Sequence, residues 1–140
     1  MRRLIALAAL SAMTTASAAS AETWTPYTTP TDKGLQWSYD ADYSYRDAAS
    51  GNVVVLQAIG KAGVTPRMGP SAPGAADGVG SVVAVDCKAK TMVTIGSYAP
   101  SKPLVLSETW RDATPKKADG PDNKALVAAV CEGADKLPAK

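Results

Sequence analysis

Residues 81–88 read Ser-Val-Val-Ala-Val-Asp-Cys-Lys. A valine-rich apolar run closed by Asp86 and Lys88 has the composition of a buried β-strand, and it reaches Cys87, one of two cysteines in the chain. The other, Cys131, falls in a stretch where Leu126, Val127, Ala129, Val130 and Cys131 recur at i, i+3 and i+4 spacing. That spacing predicts a helix with one apolar stripe. Asp122 is the expected N-cap, with Pro121 just before it, and Gly133 the expected stop. Two cysteines in an exported chain are most simply a disulfide, and two allow a single intramolecular pairing, Cys87–Cys131. It closes a loop of about 45 residues, which the chain-entropy argument values at about 4 kcal/mol. A reactive thiol or a metal ligand is the alternative, but the chain has neither Cys-x-x-Cys nor histidine.

Export is read from the first residues. Arg2 and Arg3 form a basic start, residues 4–13 a short apolar run, and Ala19-Ser20-Ala21 the small-x-small pattern of a signal-peptidase site. Residues 1–21 are therefore expected to be a signal peptide, cut between Ala21 and Glu22, with Ala18 the second choice. The apolar run falls short of the roughly 20 residues a membrane span needs. No cysteine lies near the cut to accept a lipid. Residues 22–140 then form one domain with 13 basic and 13 acidic residues. No positive surplus remains to draw nucleic acid or anionic lipid by charge alone.

Outward from the central strand, residues 36–46 alternate strictly. Trp37, Tyr39, Ala41, Tyr43 and Tyr45 alternate with Gln36, Ser38, Asp40, Asp42, Ser44 and Arg46. The period of two predicts a strand with an aromatic face and a polar face, bent near Asp40 and Asp42. A turn at 48–52 leads to a β-branched strand at 53–59, and the pair reads as a hairpin. Upstream, residues 22–31 are expected to be an extended edge segment anchored by Trp24, followed by a turn at 32–34. Residues 60–80 carry six glycines and three prolines and predict a long mobile loop. Strands are expected at 80–88, 90–98 and 104–110, the last with Leu104, Leu106 and Trp110 toward the core. The tail at 134–140 is expected to fray.

At this point several features occur in order: Trp24, Tyr39-Asp40, Gly51-Asn52-Val53-Val54-Val55, Ser81…Asp86-Cys87, Ser97-Tyr98, Trp110, and Leu126…Val130-Cys131. The chain from Trp24 to Cys131 resembles the surface-adhesin protein E family, most specifically at Asp86-Cys87 and at the late cysteine on a C-terminal helix. The resemblance implies an antiparallel sheet with a C-terminal helix tethered by a disulfide. It also implies a non-catalytic partner for host matrix or envelope proteins, with a homodimer among its states. Two departures stand beside it: the missing lipid-acceptor cysteine and the Gly/Pro-rich middle segment. A soluble periplasmic module binding an envelope component or small ligand is the alternative.

Residue by residue, chemistry is sparse. Asp40 and Asp42 pair at i, i+2, but on a polar strand face they are expected to be solvated. Asp86 is expected to accept hydrogen bonds from a helix start or a loop. The aromatic stripe suits a stacking platform and equally a core in a chain without phenylalanine. Lys88, Lys90, Lys116 and Lys117 read as ordinary surface. Without histidine there is no Ser-His-Asp or Cys-His arrangement, and no glycine run leads into Gly-Lys-Ser/Thr. No catalytic, cofactor or metal residue is expected. The fold class is α+β: five or six antiparallel strands with the helix clamped on one face.

Overall fold

The computed structural model describes residues 22–66 and 78–140. The expected signal peptide, its Ala21 side of the cut, and the middle of the expected loop lie outside the described residues. Six strands follow the chain: β1 (Trp24–Pro26), β2 (Leu35–Arg46), β3 (Val53–Lys61), β4 (Val79–Asp86), β5 (Thr91–Tyr98) and β6 (Lys116–Lys117). They lie side by side in sequence order, each antiparallel to the next. One helix, α1 (Pro121–Cys131), closes the fold, and Cys87, just past β4, is bonded to Cys131 at its end with Cα atoms 5.7 Å apart. The α+β class and the clamp are as the sequence predicts.

The central strands are apolar on both sides. Val53, Val55, Val83 and Val85 pack with Leu126, Val127 and Val130 of α1. Val54, Leu56, Ala58, Val82 and Ala84 pack on the opposite face with Val93, Ile95, Tyr98 and Trp110. This second face is roofed by Trp24, Tyr43, Tyr45 and Leu104. A continuous apolar run is what a strand covered on both faces requires. Gly80 belongs to this packing, because a Cβ there would run into the Tyr98 ring and the Gln57 carbonyl.

Strand β2 departs from the single aromatic face expected. Asp40 pairs with Leu56, but the next pair is Tyr45 with Val54, so five steps on β2 match two on β3. The odd surplus exchanges the faces. Tyr39 therefore packs on the α1 side, while Tyr43 and Tyr45 pack on the other. The polar positions are not all solvated either. Ser38, Asp40 and Ser44 are buried, and Asp40 holds the bulge by accepting the backbone N–H groups of Thr23 at 3.1 Å and Asp42 at 3.0 Å. Asp42 stays exposed and accepts the Thr23 hydroxyl at 2.6 Å.

Other boundaries shift for local reasons. The expected strand at 104–110 is an extended segment carrying a single described backbone bond to the sheet, Ser107 N–H to Ile95 O at 2.8 Å. Ile95 is the extra residue of a bulge in β5, which turns its carbonyl to that donor. Leu104 and Trp110 reach the core as expected, the latter on a 3-10 turn, but Leu106 is 47 % exposed. The sixth strand is instead β6, inside the polar stretch before the helix. Both ends of residues 60–80 are strand rather than loop, since Gly60 and Lys61 continue β3 and Val79 opens β4.

At the helix start Gly120 is the N-cap, Pro121 takes the first helical position and Asp122 the second. Proline suits that place because its absent N–H would have no partner there, and Asp122 still faces the positive end of the helix dipole. Gly133 stops the helix in the left-handed region at φ 73°, where glycine carries no Cβ penalty. The tail does not fray. Pro138 O accepts Arg46 N–H at 2.8 Å, Lys140 N–H donates to Arg46 O at 3.0 Å, and Lys140 O accepts Ala48 N–H at 2.8 Å. Leu137 packs into the helix-side core, and the Lys140 ammonium lies 5.0 Å from the Tyr45 ring centre.

Candidate functional site

Helix α1 covers only part of its face of the sheet. Beyond it, two openings share Gln57 and Asn123. One, of about 230 Å³, lies against Tyr27, Trp37 and Pro121; the other, of about 360 Å³, reaches Ser81, Val83, Met92 and Thr94. Together they form a groove floored by β2–β5 and walled by the start of α1.

Strand register places Gln57 opposite Ser81 on this floor and continues the polar row beyond it, with Ser81 opposite Ser97. Tyr27 O–H donates to Gln57 Oε1 at 2.7 Å, and Gln57 Nε2 donates to Ser81 Oγ at 3.1 Å. Lys102 Nζ donates to Ser97 Oγ at 3.1 Å. Burial pushes the Tyr27 phenol up, and the Asp122 carboxylate adds to this. Tyr27 therefore stays protonated and keeps the Gln57 amide in one orientation. Its ring also meets Tyr39, with centroids 6.3 Å apart. The groove so combines aromatic walls with fixed donors and acceptors, the mixture that binding sites use to orient what they hold.

A second groove, of about 420 Å³, lies on the other side of the helix start between the β4–β5 turn, β6 and α1. Lys90, Lys117 and Lys124 border it, and Ala118 and Val127 form its apolar floor.

The residues singled out from sequence fall into scaffold positions. Asp86 Oδ1 accepts Lys88 N–H and Ala89 N–H, both at 2.9 Å, and so builds the β4–β5 turn, the loop role expected of it. Asp40 holds the β2 bulge. Among the aromatic stripe only Trp37 lines the groove. Lys90 and Lys117, read as plain surface, share the second groove, which the sequence could not show because their spacing reflects a strand pairing. No group of three or more Cys, Asp or Glu side chains among the described residues is placed to hold a metal.

Sequence reasoning missed Asp47. It is 1 % exposed at the β2–β3 turn, where it accepts the Ser50 N–H at 2.9 Å and the Ser50 hydroxyl at 2.6 Å. Arg111 closes the site with a two-pronged ion pair, its Nη2 on Asp47 Oδ1 and its Nε on Oδ2 at 3.1 Å. The Arg111 guanidinium also stacks 4.6 Å from the Trp110 ring centre. The Arg111 pair, outweighing burial and helped by Ser50, holds the Asp47 carboxyl far below the usual carboxylate range.

Because the folded-state value is the lower one, the unfolded chain binds more protons near pH 4. The stabilisation is complete above the unfolded value of about 3.9 and is lost as pH falls toward the depressed one. Arg111→Gln is accordingly expected to be less stable than the parent at pH 7, with the gap narrowing between about pH 5 and about pH 2. Urea unfolding across that range checks it. A gap constant with pH would show that the pair is not the source.

These features define a disulfide-clamped, helix-on-meander domain with two open grooves flanking one helix start. No family model, curated protein or solved structure matches the chain. No described helix is long and apolar enough to cross a membrane.

Proposed function

We propose that this chain is an exported, non-catalytic binding protein, similar in role to the surface-adhesin protein E family, that holds a protein partner. The observation that carries this is the groove walled by Tyr27, Trp37 and Asn123 over the Gln57–Ser81 row. The disulfide-tied helix fixes one wall, so the site is preorganised and loses little freedom on binding. Side-chain capture is favoured over strand addition. The outermost strands are three and two residues long and carry Pro26 and Lys116–Lys117, residues that blunt an edge against pairing. The part of β5 beyond its pairing with β6 is flanked by the extended 104–107 segment through the Ser107–Ile95 bond.

Protease shaving and antibody labelling of intact cells, with a periplasmic control protein, test the location. Surface access supports adhesion, and a panel of matrix proteins becomes the binding assay. Access only after the outer membrane is opened moves the search to envelope partners and defeats the adhesin reading. For any partner found, Trp37→Ala is expected to weaken binding by about tenfold or more, as removal of a central aromatic anchor does. Unchanged affinity would place the contact outside this groove.

A further inference from the structure

The second groove gathers positive charge that the protein itself does not neutralise. Lys90, Lys117 and Lys124 come from the β4–β5 turn, β6 and the first half of α1. None of the three ammonium groups has an ion-pair or hydrogen-bond partner among the described residues. Asp119 is the single acid on the lining, in a chain whose basic and acidic residues balance from residue 22 onward. Between the lysines the floor is apolar, made by Ala118, Val127 and Ala128. Two of these, Ala118 and Val127, are themselves core residues, so the floor is rigid.

We propose that this groove binds a small organic anion, with its acidic head among Lys90, Lys117 and Lys124 and an alkyl or aryl body against Ala118, Val127 and Ala128. Charge complementarity selects the head. Lysine ammonium groups act as movable point charges rather than fixed forks, which suits a head without a set bidentate geometry. Size selects a small molecule, because about 420 Å³ falls in the range of small-ligand sites. An extended peptide would have only the two residues of β6 to pair with. This assignment does not depend on the protein-binding reading, which concerns the other groove.

The test is an amide-shift titration of the exported, disulfide-bonded protein with octanoate, with octanol and acetate as controls. Octanoate is expected to shift Ala89, Lys90, Ala118, Val127 and Ala128 together, while octanol and acetate bind at least about fivefold more weakly. Lys90→Gln, Lys117→Gln and Lys124→Gln are each expected to weaken octanoate by about two- to fivefold, as partly screened surface charges do. Raising salt from about 50 to about 500 mM should weaken the parent and leave the triple variant nearly unchanged. The proposal is overturned if octanol binds as well as octanoate, if acetate does, if the shifts centre elsewhere, or if the triple variant keeps the parent's affinity. Spectra unchanged away from the groove verify that the variants, all at exposed positions, remain folded.

Discussion

Replacing both cysteines, Cys87→Ala with Cys131→Ala, is expected to destabilise the domain by about 4 kcal/mol. The bond spans a sequence separation of 44, and closing such a loop removes much of the freedom of the unfolded chain. Both cysteines are half-buried against the helix-side core, so the loss of their packing adds to the effect. For a domain of this size the thermal midpoint should fall by roughly 15 °C. The helix itself should suffer most. Its 11 residues are too few to be stable alone in water, and without the bond it rests on Leu126, Val127 and Val130. Hydrogen exchange should therefore accelerate more in α1 than in β3. A midpoint lowered by less than about 3 °C would contradict the clamp's role, and equal acceleration in α1 and β3 would contradict its local one.

The clamp was legible because it rests on two strong signals, a valine run ending at one cysteine and a helical stripe ending at the other. The alternation in residues 36–46 was legible as a strand but not as to its faces. Three extra residues between Asp40 and Tyr45 exchange inside for outside, and a bulge leaves no mark on a pattern that keeps alternating through it. Residues 104–110 failed for the opposite reason. Leu104, Leu106 and Trp110 look like one strand face, yet the β5 bulge at Ile95 offers the segment one carbonyl rather than a ladder. The tail at 134–140, expected to fray, is instead ordered by backbone bonds to Arg46 and Ala48, which no local feature of its sequence announces.

The sites were less legible than the fold because each is assembled across strands. Tyr27, Gln57 and Ser81 become a row only through the register of β1 to β4, and none is unusual in its own segment. Asp47 and Arg111 lie 64 positions apart, and each reads alone as a surface charge beside a turn. Lys90 and Lys117 meet because Thr91 pairs with Lys117. Such contacts follow from tertiary pairing, to which local composition is blind.

Leu56→Ala is expected to cost about 3 kcal/mol, with a midpoint lowered by roughly 10 °C. Leu56 is 1 % exposed and lies on the face away from α1, among Val54, Ala58, Val82, Ile95 and Trp110. Truncation would remove its transfer energy and leave a cavity that β3, held between β2 and β4, cannot close by collapse. The result separates two architectures. Were the sheet covered by the helix alone, Leu56 would face water and its truncation would be nearly neutral. Under the observed roof of Tyr43, Tyr45, Leu104 and Trp110, it should rank with the loss of a central core residue. Leu106→Ala, on the same covering segment but 47 % exposed, should change stability by less than about 0.5 kcal/mol. Urea unfolding of the two variants with the disulfide intact gives the comparison. Similar small losses for both would mean that the second face is not packed in solution, whereas a large loss for Leu56 alone establishes the segment before β6 as a structural cover rather than a free loop.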